Sequence, residues 1–266
     1  ININDHLLVY ANKDDEFVIE CVNNKHIYIE IEDKCNYIDK CYKSDEEMKE
    51  WLTSNKPNWG SKWQAGDVKY KDLTGEGEVT PGASTLENHG DLKRIGNNSP
   101  RYRVGLNLDA AWKGIDFSIF FQGVLKRDWM FDAGDPYFWG AGSGMWQAAC
   151  FEEHMDYWTP ENTDAYYPKP YFNETKNQQA QDAYMQKASY LRCKNIQLGY
   201  TLPTHITEKA GISNCRIYLS CDNLFTITGL SSVYDPEVFG SYDGYGTSGK
   251  TYPLQRTISV GVNLNF

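Results

Sequence analysis

The first stretch of the sequence that could do chemistry resembles the start of a calcium-binding loop. The segment Asp72-Leu73-Thr74-Gly75-Glu76 places oxygen-bearing side chains at alternate positions, with a glycine where the chain must turn. Calcium prefers oxygen ligands at this spacing. However, Thr74 and Glu76 stand where Asn or Asp is usual, and the twelfth position of the loop is Ala83 instead of Glu. Two alternatives follow: calcium bound by Asp72, Thr74 and Glu76, or a structural turn without an ion, which the departures favour.

The second candidate site is a long aromatic segment, residues 126–188, rich in Trp, Tyr, Gly and Pro. A loop of this length is typical of a functional segment, and the faces of sugars stack on aromatic rings. The candidate substrate-binding residues are therefore Trp129, Trp139, Trp146 and Trp158. The alternative, favoured for any one of them, is that the rings pack the loop on itself or against a partner. The acidic residues here form no recognisable hydrolase pair, so we predict that the protein is not an enzyme.

Composition excludes several functional classes. The 36 acidic and 26 basic residues give a formal charge of −10, whereas a nucleic-acid-binding protein needs a basic surface. The seven cysteines show no CxxC spacing, which argues against a zinc site. No apolar run is long enough for a membrane-spanning helix, although the strands of a membrane β-barrel need be apolar only at alternate positions.

The elements that position these candidates are strands with alternating polarity. In residues 257–266, Ile258, Val260, Val262, Leu264 and Phe266 share one parity, and uncharged polar residues or Gly occupy the other. Successive side chains of a strand point to opposite faces, so one face of this strand is apolar and the other polar. The same alternation predicts a hairpin over 102–122, turning at Lys113-Gly114, and further strands at 189–202 and 215–228.

The order of these strands favours a barrel over a soluble sandwich. The short connections, 113–114 and 203–214, lie at one end, and the long loops, 126–188 and 229–253, lie at the other. Outer-membrane barrels show this asymmetry between periplasmic turns and extracellular loops. A Greek-key sandwich, in contrast, would mix short and long connections at both ends. We therefore predict an all-β fold made of antiparallel up-and-down barrel strands.

Residues 1–65 are harder to interpret. Three short runs, at 6–10, 16–22 and 26–31, have the character of strands. A helix is expected to begin after Ser44, which can act as its N-cap with Glu47 at the third helical position, and to reach about Thr53. We group these residues as an extracellular loop and strand region with a short helix that decorates the surface.

From residue 66 onwards the sequence resembles the C-terminal barrel portion of the SusC/RagA family of TonB-linked outer-membrane receptors. The resemblance is collinear and rests on these segments: NSPRY (98–102), WKGIDFS (112–118), FFQG (120–123), YWTPEN (157–162), SYLR (189–192), NIQLGY (195–200), RIY (216–218), DNLF (222–225) and YPLQR (252–256). It implies that residues 66–266 are the C-terminal part of a large antiparallel up-and-down transmembrane β-barrel with long extracellular loops. The family's barrel has about 22 strands around an N-terminal plug, and we expect this chain to need further strands to close it.

The resemblance also assigns a second role to the last strand. Ser259, Gly261, Leu264 and Phe266 are similar to the C-terminal signal by which the barrel-assembly machinery recognises outer-membrane barrels. An exposed edge strand that ends on an aromatic residue is suited to strand addition. The simpler role of a closing strand is compatible with this one.

The function implied by the resemblance is nutrient import across the outer membrane of a Gram-negative, Bacteroidetes-like bacterium. A glycan or peptide would be captured with a SusD-like surface lipoprotein acting as a lid, and the TonB complex would drive its entry through a plug. The alternative is a secreted or surface β-sandwich that binds carbohydrate, with calcium at Asp72, Thr74 and Glu76. The two differ in one structural feature: a barrel exposes Ile258 and Val260 to outer-membrane lipid, whereas a sandwich buries them between two sheets.

Overall fold

The computed structural model describes residues 7–11, 17–21, 25–28, 41–83, 85, 87–143, 149–172, 174–239 and 251–266. The chain divides into two compact units, Ile1–Tyr37 and Ile38–Phe266. In the first, β1 (Leu7–Ala11), β2 (Phe17–Cys21) and β3 (Lys25–Tyr28) form an antiparallel sheet in that order. This confirms the strand character of the three N-terminal runs where they are described; residues 29–31 of the third run lie outside the described residues. The predicted domain boundary after residue 65 stays a prediction.

The second unit begins with the predicted helix. Helix α1 (Asp45–Ser54) has Ser44 as its N-cap, and the Ser44 hydroxyl accepts a hydrogen bond from the Glu47 N–H at 3.2 Å. A short parallel pair follows, made of β4 (Lys56–Pro57) and β5 (Glu78–Val79). None of the helices in the described ranges is long and apolar enough to cross a membrane.

The main sheet of this unit is an antiparallel meander. Its strands β6 (Arg101–Trp112), β7 (Ile115–Lys126), β9 (Gln186–Thr201), β10 (Asn214–Asp222) and β12 (Thr257–Asn265) pair in the order β6-β7-β9-β10-β12. Two short strands, β8 (Asp128–Trp129) and β11 (Thr226–Gly229), pair with β9. The connection from β9 to β10 contains helix α2 (Thr204–Thr207) and a 3₁₀ turn (Glu208–Ala210). This topology confirms the predicted alternation of short turns and long loops.

The strand predicted over 215–228 is interrupted. β10 ends at Asp222 and β11 begins at Thr226, because Asn223 adopts a left-handed backbone conformation with φ of 51°. Asn tolerates this conformation better than most residues do. The Asn223 N–H then donates to the Lys194 carbonyl at 3.0 Å, so β11 can still pair with β9 after the break.

One face of the sheet is a continuous apolar surface. The register aligns three cross-strand rows on it: Trp112–Ile115–Tyr200–Ile217–Val262, Ala110–Phe117–Leu198–Leu219–Val260 and Leu108–Ile119–Ile196–Cys221–Ile258. Ile258 and Val260 expose 66% and 75% of their surface. This exposure contradicts the sandwich alternative, which required the same side chains to be buried between two sheets.

The well-packed core of the second unit is made mainly of loop residues, with Val79 of β5 and Ala188 of β9. We call it the loop core, and its buried side chains are Cys41, Val68, Tyr70, Val79, Phe131, Phe138, Trp139, Trp158, Ala165, Tyr167, Tyr184, Ala188, Leu230, Tyr234 and Phe239. Its rings stack and meet edge to face; Phe131, for example, stacks on Phe138 with centroids 4.5 Å apart. Such aromatic pairs stabilise beyond the area that they bury, so the long loops form a folded body attached to the sheet.

Candidate functional site

The face of the sheet opposite the apolar surface is polar, and a charged pair crosses it. Arg216 on β10 reaches over β9 to Asp116 on β7, with its Nε donating to Asp116 Oδ1 at 2.9 Å, and its Nη2 donates to Gln197 Oε1 at 2.9 Å. The pair can meet because Gly199 lies between the two side chains. A Cβ atom at position 199 would lie 2.5 Å from both Arg216 Nη2 and Asp116 Oδ1.

Further polar groups continue this face toward the long loops. Asn195 donates to Ser220 Oγ at 3.2 Å and to Asp222 Oδ1 at 2.7 Å, and Asn107 donates to Asp109. Alternating strands of a barrel place such side chains toward the interior and apolar ones toward lipid. A solute that passes through the barrel interior would therefore contact the polar face.

The second long loop folds onto the polar face and is held there by charge. Arg192 on β9 donates to Asp235 Oδ1 at 2.7 Å and to Glu237 Oε2 at 3.0 Å, and Lys194 donates to Glu237 Oε1 at 3.0 Å. Burial alone would raise the pKa of Asp235. Hydrogen bonds from the N–H groups of Glu237 and Leu254, together with the Arg192 guanidinium, outweigh burial and lower that pKa.

A cavity of about 460 Å³ lies between this loop and the polar face. We call it the polar-face cavity, and the side chains that give it its character are Arg103, Gln122, Arg127, Tyr190 and Glu237. The Arg127 guanidinium stacks on the rings of Trp129 and Phe239, at 4.8 and 4.7 Å from their centroids, and its Nε donates to the Asn98 carbonyl at 3.0 Å. Within the described ranges, neither Arg103 nor Arg127 forms an ion pair with a carboxylate.

The sequence-based candidates did not include the two arginines of this cavity. Arg103 occupies an inward position of β6, at the same parity as Asn107 and Asp109, so strand alternation places it on the polar face. The cavity itself also depends on Glu237, which is more than a hundred residues away in sequence. The alternation of β6 is enough to identify Arg103 as a residue of the polar face. No local sequence pattern identifies Glu237 as its neighbour across the cavity.

Three of the four predicted substrate-binding tryptophans, Trp129, Trp139 and Trp158, lie in or against the loop core. Trp139 and Trp158 are only 5% and 6% exposed, and Trp129 meets Phe239 edge to face at 4.8 Å. Trp146 lies outside the described residues. The geometry of Trp139 and Trp158 corresponds to the packing alternative, because both rings are already covered by protein. Trp139 also borders a cavity of about 290 Å³ with a mainly apolar lining that includes Tyr157 and Tyr167.

The predicted calcium loop is organised by two carboxylates that accept backbone hydrogen bonds. Asp72 Oδ1 accepts from the Gly75 N–H at 2.6 Å, and Asp72 Oδ2 accepts from the Gly77 N–H at 2.8 Å. Asp91 accepts from the N–H groups of Leu73 and Thr80, at 2.7 Å each. The hydrogen bond from Gly77 is the main cause that lowers the pKa of Asp72.

Both Asp72 oxygens accept hydrogen bonds from the backbone of the loop, as they would in a structural turn. Across the described residues, no group of three or more His, Cys, Asp and Glu side chains is placed to share a metal ion. The calcium site at Asp72, Thr74 and Glu76 stays a prediction.

The four residues of the predicted assembly signal lie at the free edge of the sheet. Ser259 and Gly261 are on the polar face, opposite Ser220 and Tyr218, and Leu264 is opposite Cys215. Phe266 follows the end of β12 and is 87% exposed. The structure thus places Ser259, Gly261 and Leu264 in one edge strand with Phe266 directly after it, and their recognition by assembly machinery stays a prediction.

Comparison with known proteins identifies relatives of one kind, although no protein-family model matches the chain. TonB-dependent receptor P3 of Formosa agariphila is 29% identical over 208 residues, which are 76% of this chain and 19% of that protein. TonB-dependent receptor P26 of the same organism is 26% identical over 209 residues, covering 76% of this chain and 20% of its own length. The chain therefore spans about a fifth of the length of the curated relatives that it matches.

The fold has matches among solved structures. The chain aligns over its whole length with 25% of a chain from the RagAB peptide importer in its open-open state, at a TM-score of 0.51 and 20% identity. The RagAB peptide transporter gives the same TM-score over 97% of this chain and 24% of that one. These findings confirm the predicted resemblance to SusC/RagA-type TonB-linked receptors, the barrel-type β fold and the outer-membrane location.

Proposed function

We propose that this chain forms barrel wall and extracellular loops of a TonB-dependent transporter that imports a nutrient, a glycan or a peptide, across the outer membrane. One observation carries the proposal: the sheet is apolar and exposed on one face and polar on the other, and a loop is anchored on the polar face by Arg192. A wall between lipid and an aqueous passage requires these two opposite faces.

The apolar face fits the hydrocarbon layer of the membrane. The row nearest the short turns contains Trp112 and Tyr200, which are 68% and 44% exposed. Aromatic residues of this kind form girdles at the interfaces of membrane barrels. Outer-membrane lipid is therefore the partner of this face, and the cell exterior lies on the side of the long loops.

The polar face and the loop core would serve capture and passage of the nutrient. In the SusC/RagA family, a SusD-like lipoprotein closes over the extracellular side, and the TonB complex acts through an N-terminal plug. The aromatic loop core gives the extracellular side a rigid surface against which such a lipoprotein could close. The similarity to receptors called TonB-dependent and to a structure called a peptide importer supports this assignment.

Import is tested by deleting the complete gene and measuring growth on a panel of single glycans and peptides. We expect growth to be lost on one polymer or a small group of them, to be restored by the gene on a plasmid, and to remain normal on free monosaccharides and amino acids. Uptake of the same labelled polymer should also stop when a protonophore collapses the proton gradient. Unchanged growth and uptake on every polymer would contradict the proposal.

A further inference from the structure

We propose that the polar-face cavity is a subsite for a carboxylate group carried by the imported molecule. The inference rests on the import function, because it concerns what the transporter recognises on its substrate. The cavity volume of about 460 Å³ is typical of pockets that enclose a small ligand or one unit of a larger one.

The charge that lines the cavity is positive once the internal ion pairs are taken into account. Glu237 is the carboxylate of its lining, but it is already held by Arg192 and Lys194 at 3.0 Å each. Arg103 and Arg127 face the same cavity, and within the described part of the chain no acidic side chain neutralises them. Two guanidinium groups that share a cavity repel each other, so a bound anion would relieve an unfavourable interaction.

The geometry of Arg127 suits this role. Its guanidinium is fixed in orientation by stacking on Trp129 and Phe239 and by the hydrogen bond from its Nε to the Asn98 carbonyl. Its two terminal nitrogens form no hydrogen bond within the described residues and stay available as a fork. Arginine forks bind carboxylates through two parallel hydrogen bonds, and a fork that is held in place loses little entropy on binding.

The lining also contains apolar residues, such as Val104, Phe120 and Val124, and two further polar side chains that suit a carboxylate-bearing unit. Gln122 offers amide hydrogen-bonding groups, and Tyr190 offers a ring and a hydroxyl. Two nutrient chemistries supply such a carboxylate: the C-terminus of a peptide and the acid group of a uronic acid sugar. The shared feature is the carboxylate, and matched probes distinguish the two sources.

The proposal is tested by calorimetric binding to the whole purified receptor, expressed from its complete gene. The probes form two pairs, each an acid and its neutral counterpart. The first pair is N-acetyl-dialanine and the same dipeptide with a C-terminal amide, and the second is glucuronate and glucose. We compare the wild type with Arg103→Gln, with Arg103→Lys, which keeps the charge, and with Lys113→Gln. Lys113→Gln is a matched control, because it also removes one positive charge, but at the opposite end of the sheet, in the β6–β7 turn.

We expect at least one acid to bind about tenfold more tightly than its neutral partner, in line with a charge-assisted hydrogen bond. Arg103→Gln should remove most of this preference, whereas Arg103→Lys and Lys113→Gln should retain it. The pair that shows the preference identifies the source of the carboxylate.

Equal binding of acid and neutral probes by the wild type, including no binding of either, would overturn the subsite. So would an equal loss in Arg103→Gln and Lys113→Gln, since that result would reflect net charge alone. A different result would contradict the proposed import function. Growth and uptake that do not depend on the gene, with an intact acid preference, would contradict import and leave the subsite standing.

Discussion

The ring of Tyr218 lies directly over Gly261, its register partner across β10 and β12. A Cβ atom at position 261 would lie 2.6 Å from Tyr218 Cε1 and closer still to Cζ, which is far inside van der Waals contact. The Tyr218 ring is itself packed against the Arg216 guanidinium, whose central carbon lies 5.0 Å from the ring centroid. The packing of the Tyr218 ring thus explains the glycine at position 261 of the predicted assembly signal, independently of recognition by the assembly machinery.

This contact predicts that Gly261→Ala impairs the closing strand, because the added methyl group must displace the Tyr218 ring. We expect less folded protein in the outer membrane, measured by heat-modifiable mobility in gel electrophoresis. The control Ser259→Ala, on the same face of the same strand, should change little. The double variant Gly261→Ala with Tyr218→Ala should recover folded protein. If recovery fails although Tyr218→Ala alone folds normally, the glycine is needed by the assembly machinery itself.

The two faces of β10 should differ in their tolerance of charge. Leu219 lies in the middle row of the apolar face, between Leu198 and Val260, and its neighbour Ser220 points to the polar face. An arginine at a lipid-facing position near the midplane costs about 2–4 kcal/mol of barrel stability. We therefore expect Leu219→Arg to lower the free energy of unfolding in lipid vesicles by this amount, and Ser220→Arg to lower it much less. Equal effects would contradict the assignment of the faces.

A buried ion pair joins two distant parts of the second unit. Lys176 Nζ lies 2.9 Å from Asp67 Oδ2 and 4.1 Å from the centroid of the Tyr171 ring, and both charged side chains are almost fully buried. Removing one partner of such a pair leaves an uncompensated charge, which costs about 3–5 kcal/mol. We expect Lys176→Met to destabilise the loop core by this amount, measured by protease susceptibility in increasing urea.

Two controls separate the charge effect from loss of packing. The double variant Lys176→Met with Asp67→Asn should recover part of the loss, because no unpaired charge remains. Lys43→Met removes the exposed pair with Asp164, whose charged atoms are 3.8 Å apart, and should cost less than about 1 kcal/mol. A double variant that is less stable than Lys176→Met alone would show that the pair is not the source of the effect.

Acid should release the loop that is anchored by Arg192. The pKa of Asp235 is lowered below its ordinary value of 3.8 in the folded protein, so its ionised form stabilises the fold at pH values above 3.8. This contribution is lost as the pH falls through the lowered pKa. We expect digestion by pepsin to be slower for the wild type than for Asp235→Asn near pH 4, and the difference to vanish toward pH 2. A constant difference over this range would contradict the prediction.

The strands could be predicted from the sequence because their signal is local. Residues 257–266 alternate with a period of two, and the faces follow directly from that period. The sequence does not predict the break at Asn223, because its φ of 51° leaves no mark on the alternation and the apolar Leu224 and Phe225 follow it before β11 begins. The loop core has no period at all. Trp158, for example, packs on Gly66, more than ninety residues earlier in the chain, and no local pattern encodes that contact.

The position of Trp158 favours a structural role over a role in substrate binding. A Cβ atom on Gly66 would lie 2.5 Å from Trp158 Cδ2, so the indole fills a site shaped by the absence of a side chain. Trp158→Ala should therefore lower the free energy of unfolding of the loop core by about 3–5 kcal/mol, as large-to-small core substitutions do. Trp158→Phe should be milder, since the buried indole N–H has no hydrogen-bond partner among the described residues to lose. Denaturant titration measures both effects. A folded, equally stable Trp158→Ala protein with weakened polymer binding would instead support the stacking role.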